Sequence, residues 1–194
     1  MFPNFDQPDL KAKWKLTATV PENWVVISNE RESKVESQNG ESTYFFPYSA
    51  KISTYLYALV AGPYEFIEQN GNRIYTRKGL IHHVLSEEMF LVTQKGLEFY
   101  SSLFGHPYPF SKYDQVFIPK HIYVAMENVG CVTFSEKRYL FREEASKAQR
   151  LRFAISVLHE MAHMWFGNLV TMKWWNDLWL NESFATYLSF VAMS

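Results

Sequence analysis

Cysteine is almost missing from this chain: a single residue, Cys131, stands among 194. An internal disulfide framework is thereby excluded. With no basic neighbour in sequence to lower its pKa, the thiol reads as a small core residue and not as a nucleophile. Net charge is missing as well. The 19 basic side chains against 20 acidic ones leave −1, so neither a nucleic-acid partner nor an anionic-membrane surface is expected. No apolar run is long: Tyr55 to Ala61 is the longest, far short of the roughly 20 residues that cross a bilayer. The opening residues lack the basic and apolar regions of a signal peptide; a cytoplasmic location is the default expectation on the lone cysteine. There is no G-x-S-x-G elbow and no Walker loop, which leaves serine-hydrolase and nucleotide chemistry without a foothold. Repeats and low-complexity tracts are absent too.

What the chain has in quantity is core material, 47% hydrophobic and 18% aromatic residues, enough for one sizeable domain or two small ones. Residues 4 to 66 read as β structure. Lys13 to Val20 and Trp24 to Ser28 have strand composition, Asn39-Gly40 marks a hairpin, and Thr54 to Ala61 is apolar enough for a central strand closed by Gly62-Pro63. Polarity rises and turn residues cluster around Gln69 to Asn72, where a domain boundary is expected, dividing the chain into 1–70 and 71–194. Beyond it come a short strand (Ile74 to Thr76), a helix (Glu87 to Phe104) ahead of Gly105, and strands at Gln115 to Ile118 and Ile122 to Met126. Glu136 to Lys147 is a polar, helix-prone connection. A helix ended by Gly167-Asn168 follows, then a loop at Trp174 to Asp177 and a last helix.

The chemistry lies in that late region. His159-Glu160-x-x-His163 places two imidazoles on one helix face, with Glu160 about 100° around. This is half of a zinc site. A catalytic zinc keeps one tetrahedral position for water and so needs a third protein ligand; Glu182, with eighteen residues between it and His163, is the natural candidate. Two neutral imidazoles and one carboxylate leave net +1 on the ion, which favours ionisation of its water. Glu160, not a ligand, is then free to act as general base and to pass the proton to the leaving amine. The same pattern on a solvated helix would mean nothing, but Ile155, Val157, Leu158, Met161, Ala162, Trp165 and Phe166 surround it with apolar side chains. Histidines and a glutamate buried among those need partners.

Glu127 follows an apolar strand. A glutamate there is most often a solvated loop charge, yet an exopeptidase needs a carboxylate to pair the free α-ammonium that marks a chain end. His82, His83, His106 and His121 have no ligand spacing with the motif and read as structural or surface residues. The Asn181-Glu182-Ser183 sequon contains the proposed ligand, and a glycan would obstruct the site, so it reads as coincidence.

These residues resemble the aminopeptidase N family of gluzincin zinc aminopeptidases. The resemblance is carried by Phe2-Pro3-Asn4-Phe5-Asp6-Gln7-Pro8 with Lys11-Ala12, by Ala125-Met126-Glu127-Asn128, and by His159 to His163 with Glu182. It implies an α+β fold, an N-terminal antiparallel β domain followed by a thermolysin-like, mainly helical zinc-peptidase domain. It implies one zinc ion per chain on His159, His163 and Glu182, Glu160 as general base, and Glu127 anchoring the amino terminus of a peptide substrate beside Ala125 and Met126. The implied reaction removes single residues from peptide N-termini. Val124 stands where the family motif begins with glycine, which changes the surface beside the substrate. Ser189 stands where many members have a second glutamate on the helix of the third ligand, so support for the ligands must come from elsewhere. A family residue upstream of Phe-Pro and a downstream oxyanion tyrosine fall outside the chain, and Tyr187 lies too close to Glu182 to replace the latter; a fragment of a larger enzyme is expected. Two other readings stay open, a catalytically silent zinc-binding module and a zinc hydrolase of the same fold with another substrate. Oligomeric state and first-residue preference are not legible.

Overall fold

A computed structural model describes residues 3–194. Phe2, first residue of the Phe-Pro segment, lies outside the described residues. The fold is α+β, with antiparallel sheets first and helices after. Strands β1 (Thr17–Pro21), β2 (Val25–Ser28), β3 (Lys34–Gln38) and β4 (Glu41–Phe45) come first. They form an antiparallel sheet of order β1-β4-β3, while β2 pairs with β5 (Leu59–Gly62). The β3–β4 hairpin turns on Asn39 and Gly40, both at positive φ (54° and 80°). That is the pair of conformations a two-residue turn with right-handed strand twist requires, and Asn-Gly supplies them with little strain.

β6 (Tyr64–Gln69) and β7 (Asn72–Arg77) follow as a second hairpin, so the polar stretch at 69–72 forms its tip. Both strands belong to a five-stranded mixed sheet of order β6-β7-β8-β10-β9, completed by β8 (Asp114–Ile118), β9 (Ala125–Met126) and β10 (Cys131–Ser135). β7, β8 and β10 run parallel and β9 lies antiparallel at the edge. Every residue of β10 is buried, as a strand covered on both faces must be. Cys131 is one of them; burial pushes its thiol up to about 12, which fits a core residue.

Helix α1 (Ser86–Phe104) packs against α3 (Lys147–Ala162), with the single turn α2 (Glu136–Tyr139) before it and α4 (Trp179–Met193) after it. α3 starts at a capping box, Ser146 with Gln149, which satisfies two orphan donors of the first turn. Phe153, Val157 and Met161, four apart, are buried along one face, with Leu158 and Ala162 beside them. They join Tyr100, Tyr113, Phe117 and Phe134 in one core between helices and sheet. Full burial of each large side chain contributes about 1.5–3 kcal/mol, so this core fixes α3 firmly. No helix among the described residues is long and apolar enough to cross a membrane.

Several elements differ from the sequence expectation. Residues 13–16 leave the first strand because the Trp14 amide donates to Ser49 Oγ and its carbonyl accepts from the Ser49 amide, in place of a ladder. Thr54 to Ala61 is not one central strand. Residues Thr54–Leu56 form a 3₁₀ turn, since the Asn29 side chain takes the Leu56 carbonyl and the Ala58 amide that a ladder would have used. Only Ala125 and Met126 of the 122–126 stretch pair, because the His121 ring accepts from the Tyr123 amide and meets Thr133 Oγ1, closing a turn. α3 ends at Ala162, before Gly167, because amides 164 and 165 reach back only three residues to 161 and 162.

The N-terminal sheets and the C-terminal half interlock through buried polar groups. Asn29 Nδ2 donates to Val129 O (2.8 Å) as well as Leu56 O (2.9 Å). Lys112, buried, donates to the carbonyls of Ser28 and Gly130 and pairs with Asp114. Gly130 has φ +66°, and a Cβ there would sit 2.2 Å from the Asn29 carbonyl oxygen. Gly130→Ala should therefore destabilise the fold by about 2–4 kcal/mol, combining left-handed strain with a backbone clash; a denaturant midpoint at wild-type value would refute this.

Candidate metal centre and active site

His159 lies in the last turn of α3 and His163 is its C-cap residue. Their Nε2 atoms converge to 3.1 Å. Glu182, in the first turn of α4, brings Oε2 to 3.4 Å from His159 Nε2 and Oε1 to 3.7 Å from His163 Nε2. The early end of α3 lets the Phe166 carbonyl turn back to His163 Nδ1 at 3.1 Å. A carbonyl can only accept, so Nδ1 carries the proton and the Nε2 lone pair points at the other two groups. Thr186 Oγ1 meets His159 Nδ1 at 3.4 Å, one helical turn beyond Glu182; Ser189 instead donates to the Thr186 carbonyl. One ligand atom from each of the three residues thus faces one point, and a cation bound there would replace the His159–Glu182 hydrogen bond. The donor set fits zinc.

Glu160 is 7% exposed and points to the same side. Its carboxylate, that of Glu127 and His163 have ligand atoms all within 4.8 Å of one another. Burial, reinforced by the charges of Glu127 and Glu182, pushes the Glu160 carboxyl well above the usual carboxylate range. Glu182 is held below that range, chiefly by its hydrogen bond with His159. Glu127 is also buried, and its backbone carbonyl is fixed by Asn168 Nδ2 at 2.9 Å. Ala125 and Met126, on the edge strand β9, line a cleft of about 800 Å³ together with Glu127, Glu160 and the two histidines. All seven residues singled out by sequence are brought to this one cleft.

A model of the peptidase family M1 domain matches residues 89–194, and one of the peptidase M1 N-terminal domain matches residues 1–56. The chain belongs to peptidase family M1.

This M1 chain is 44% identical to aminopeptidase N of Streptomyces lividans over 96% of its length and 22% of the relative's. It is 42% identical to leucyl aminopeptidase of Saccharolobus solfataricus (99% and 25%) and 43% identical to aminopeptidase M1-D of Oryza sativa subsp. japonica (99% and 22%). It therefore spans about a quarter of the length of these relatives or slightly less. Beyond the sequence-derived residues, the M1 chain's site includes Thr186, Asn168 and Tyr55. The first two touch the site through a side chain–backbone or ring contact that no spacing rule reports, and Tyr55 arrives from the N-terminal half. The asparagine of the sequon, Asn181, is buried at 2% exposure.

Proposed function

We propose that this chain carries the metal-binding and substrate-anchoring part of a zinc aminopeptidase that releases single residues from the N-termini of peptides. One observation carries the reading. Three carboxylates, Glu127, Glu160 and Glu182, and two histidines line one cleft, and none of the described residues lining it is Lys or Arg. Buried carboxylates need compensating positive charge. Here it must come from outside the chain, as a metal dication and as the ammonium of a peptide's first residue.

His159, His163 and Glu182 would hold the zinc ion. When bound, zinc supplies a Lewis acid for the scissile carbonyl and for the attacking water. Glu160 takes the water's proton on a carboxylate oxygen and delivers it to the leaving amine. Glu127 pairs the α-ammonium, which sets the scissile bond one residue from the chain end. The open edge of β9 offers backbone groups to an extended peptide.

Glu127→Gln tests the amine-anchoring role. In the full-length protein it should raise KM for substrates with a free amino terminus by about 10–100-fold, the loss of one charge-assisted contact, and leave N-acetylated peptides unaffected. Equal effects on both substrate classes would remove Glu127 from this role and favour an endopeptidase.

A further inference from the structure

The phenol of Tyr55 lines the same cleft, and the chemistry above does not use it. Its 3₁₀ turn is nailed to the segment that follows Glu127. The carbonyl of Leu56, the next residue, accepts from Asn29 Nδ2 at 2.9 Å and from Asn128 Nδ2 at 3.4 Å, and Asn29 also holds Val129 O. Tyr55 and Glu127 thus stand one residue to either side of a shared clamp. The ring packs edge-on against Trp175, centroids 5.2 Å apart at 66°. Its hydroxyl oxygen is buried and completes no hydrogen bond, and the same is true of Asn181 Nδ2. The Asn181 side chain is nevertheless close enough to the phenol to act on it as a hydrogen-bond partner, so the two groups face each other, and buried polar groups that complete no bond are uncommon in a folded protein. The Glu127 carboxylate likewise receives no hydrogen bond among the described residues.

We propose that Tyr55 is a positioning residue for the amine-anchoring carboxylate. Its hydroxyl accepts from the Asn181 amide and donates to Glu127, holding that carboxylate in the orientation that meets the substrate's ammonium. The chain Asn181 to Tyr55 to Glu127 satisfies all three groups, each donor matched with an acceptor. Glu182 is the poorer acceptor, being half exposed and already engaged by His159. Burial and the nearby charges of Glu127 and Glu182 push the phenol above its ordinary value, so it stays protonated and able to donate. The N-terminal half, by this account, contributes to substrate recognition and not only to support of the fold.

The proposal rests on the aminopeptidase reading, and Tyr55→Phe in the full-length protein tests it, since phenylalanine keeps the ring contact with Trp175. KM for an aminoacyl p-nitroanilide should rise about tenfold, with kcat within about twofold and zinc content unchanged, as expected for loss of one hydrogen bond to a charged group. A competitive inhibitor with a free amine should weaken in parallel, while its des-amino analogue should bind Tyr55→Phe as tightly as wild type. Unchanged KM overturns the proposal, and so does equal weakening of both inhibitors. Loss of zinc with KM intact overturns it too, because the hydroxyl would then serve Glu182. A wild-type protein that does not prefer free amino termini sinks the underlying reading, and that result is seen before any variant is made.

Discussion

Glu160→Gln should lower kcat by about 10²–10⁴-fold, the range a positioned general base contributes, while the protein keeps its zinc. Glutamine has nearly the same shape, so the buried pocket around it is preserved. What it loses is the lone function assigned to Glu160, acceptance of a proton. The geometry separates this role from metal binding. The atoms of His159, His163 and Glu182 form one cluster, and Glu160 enters a second with Glu127 and His163. Glu160 stands outside the group formed by His159, His163 and Glu182, so zinc affinity should fall only modestly. KM should change little, because Glu127 and not Glu160 pairs the ammonium. Metal analysis after gel filtration, alongside steady-state kinetics, checks both halves. A zinc-free variant would mean that Glu160 is a ligand and that one of the three assigned ligands is the base. A zinc-loaded variant with undiminished turnover would mean that the proton goes elsewhere.

The legible part of this site is the part encoded by spacing. Two histidines four apart on an apolar helix, and an acid at the start of the next one, are local facts of the chain, and helix geometry converts them into a cluster. The α1 helix and the Asn39-Gly40 hairpin were legible for the same reason, each being set by periodicity or by turn chemistry within a few residues. What could not be read was set by contacts distant in sequence. The Asn29 side chain, 27 residues away, reshapes the Thr54 to Ala61 run into a turn and a short strand. β10 is only five residues long, and its Val132-Thr133-Phe134-Ser135 alternation suggests one exposed face, yet elements packed on both sides bury every residue of it. Tyr55 reaches the cleft only because that turn docks on Asn128 and Val129, and nothing in its own neighbourhood of the sequence points there. The polar tip at 69–72 shows the converse. Turn residues report a turn faithfully, but whether the chain then pairs with itself or leaves for another domain depends on β6 and β7, which meet across it.

His163→Ala should abolish stoichiometric zinc binding, and with it turnover. His163 is 1% exposed, and its ring is oriented by the Phe166 carbonyl behind it. Losing only such a supporting partner typically costs about 10–100-fold in metal affinity, and losing the ligand itself should cost more. Alanine leaves His159 and Glu182, two ligands on different helices, and a cavity that water can enter. The consequence extends to stability. A ligand at 100 times its dissociation constant stabilises the folded state by about 2.7 kcal/mol, and zinc here would bridge α3 and α4, adding to the packing the two helices already share. Added zinc should therefore raise the melting temperature of the wild-type protein and leave that of His163→Ala where it was. Glu160→Gln should respond like the wild type. This pairing makes the comparison sharp: two neighbouring substitutions in one helix, one removing the metal and the thermal response to it, the other removing only the chemistry. If both variants kept zinc and both lost activity, the metal would lie elsewhere and the cluster of His159, His163 and Glu182 would have to be abandoned as its site.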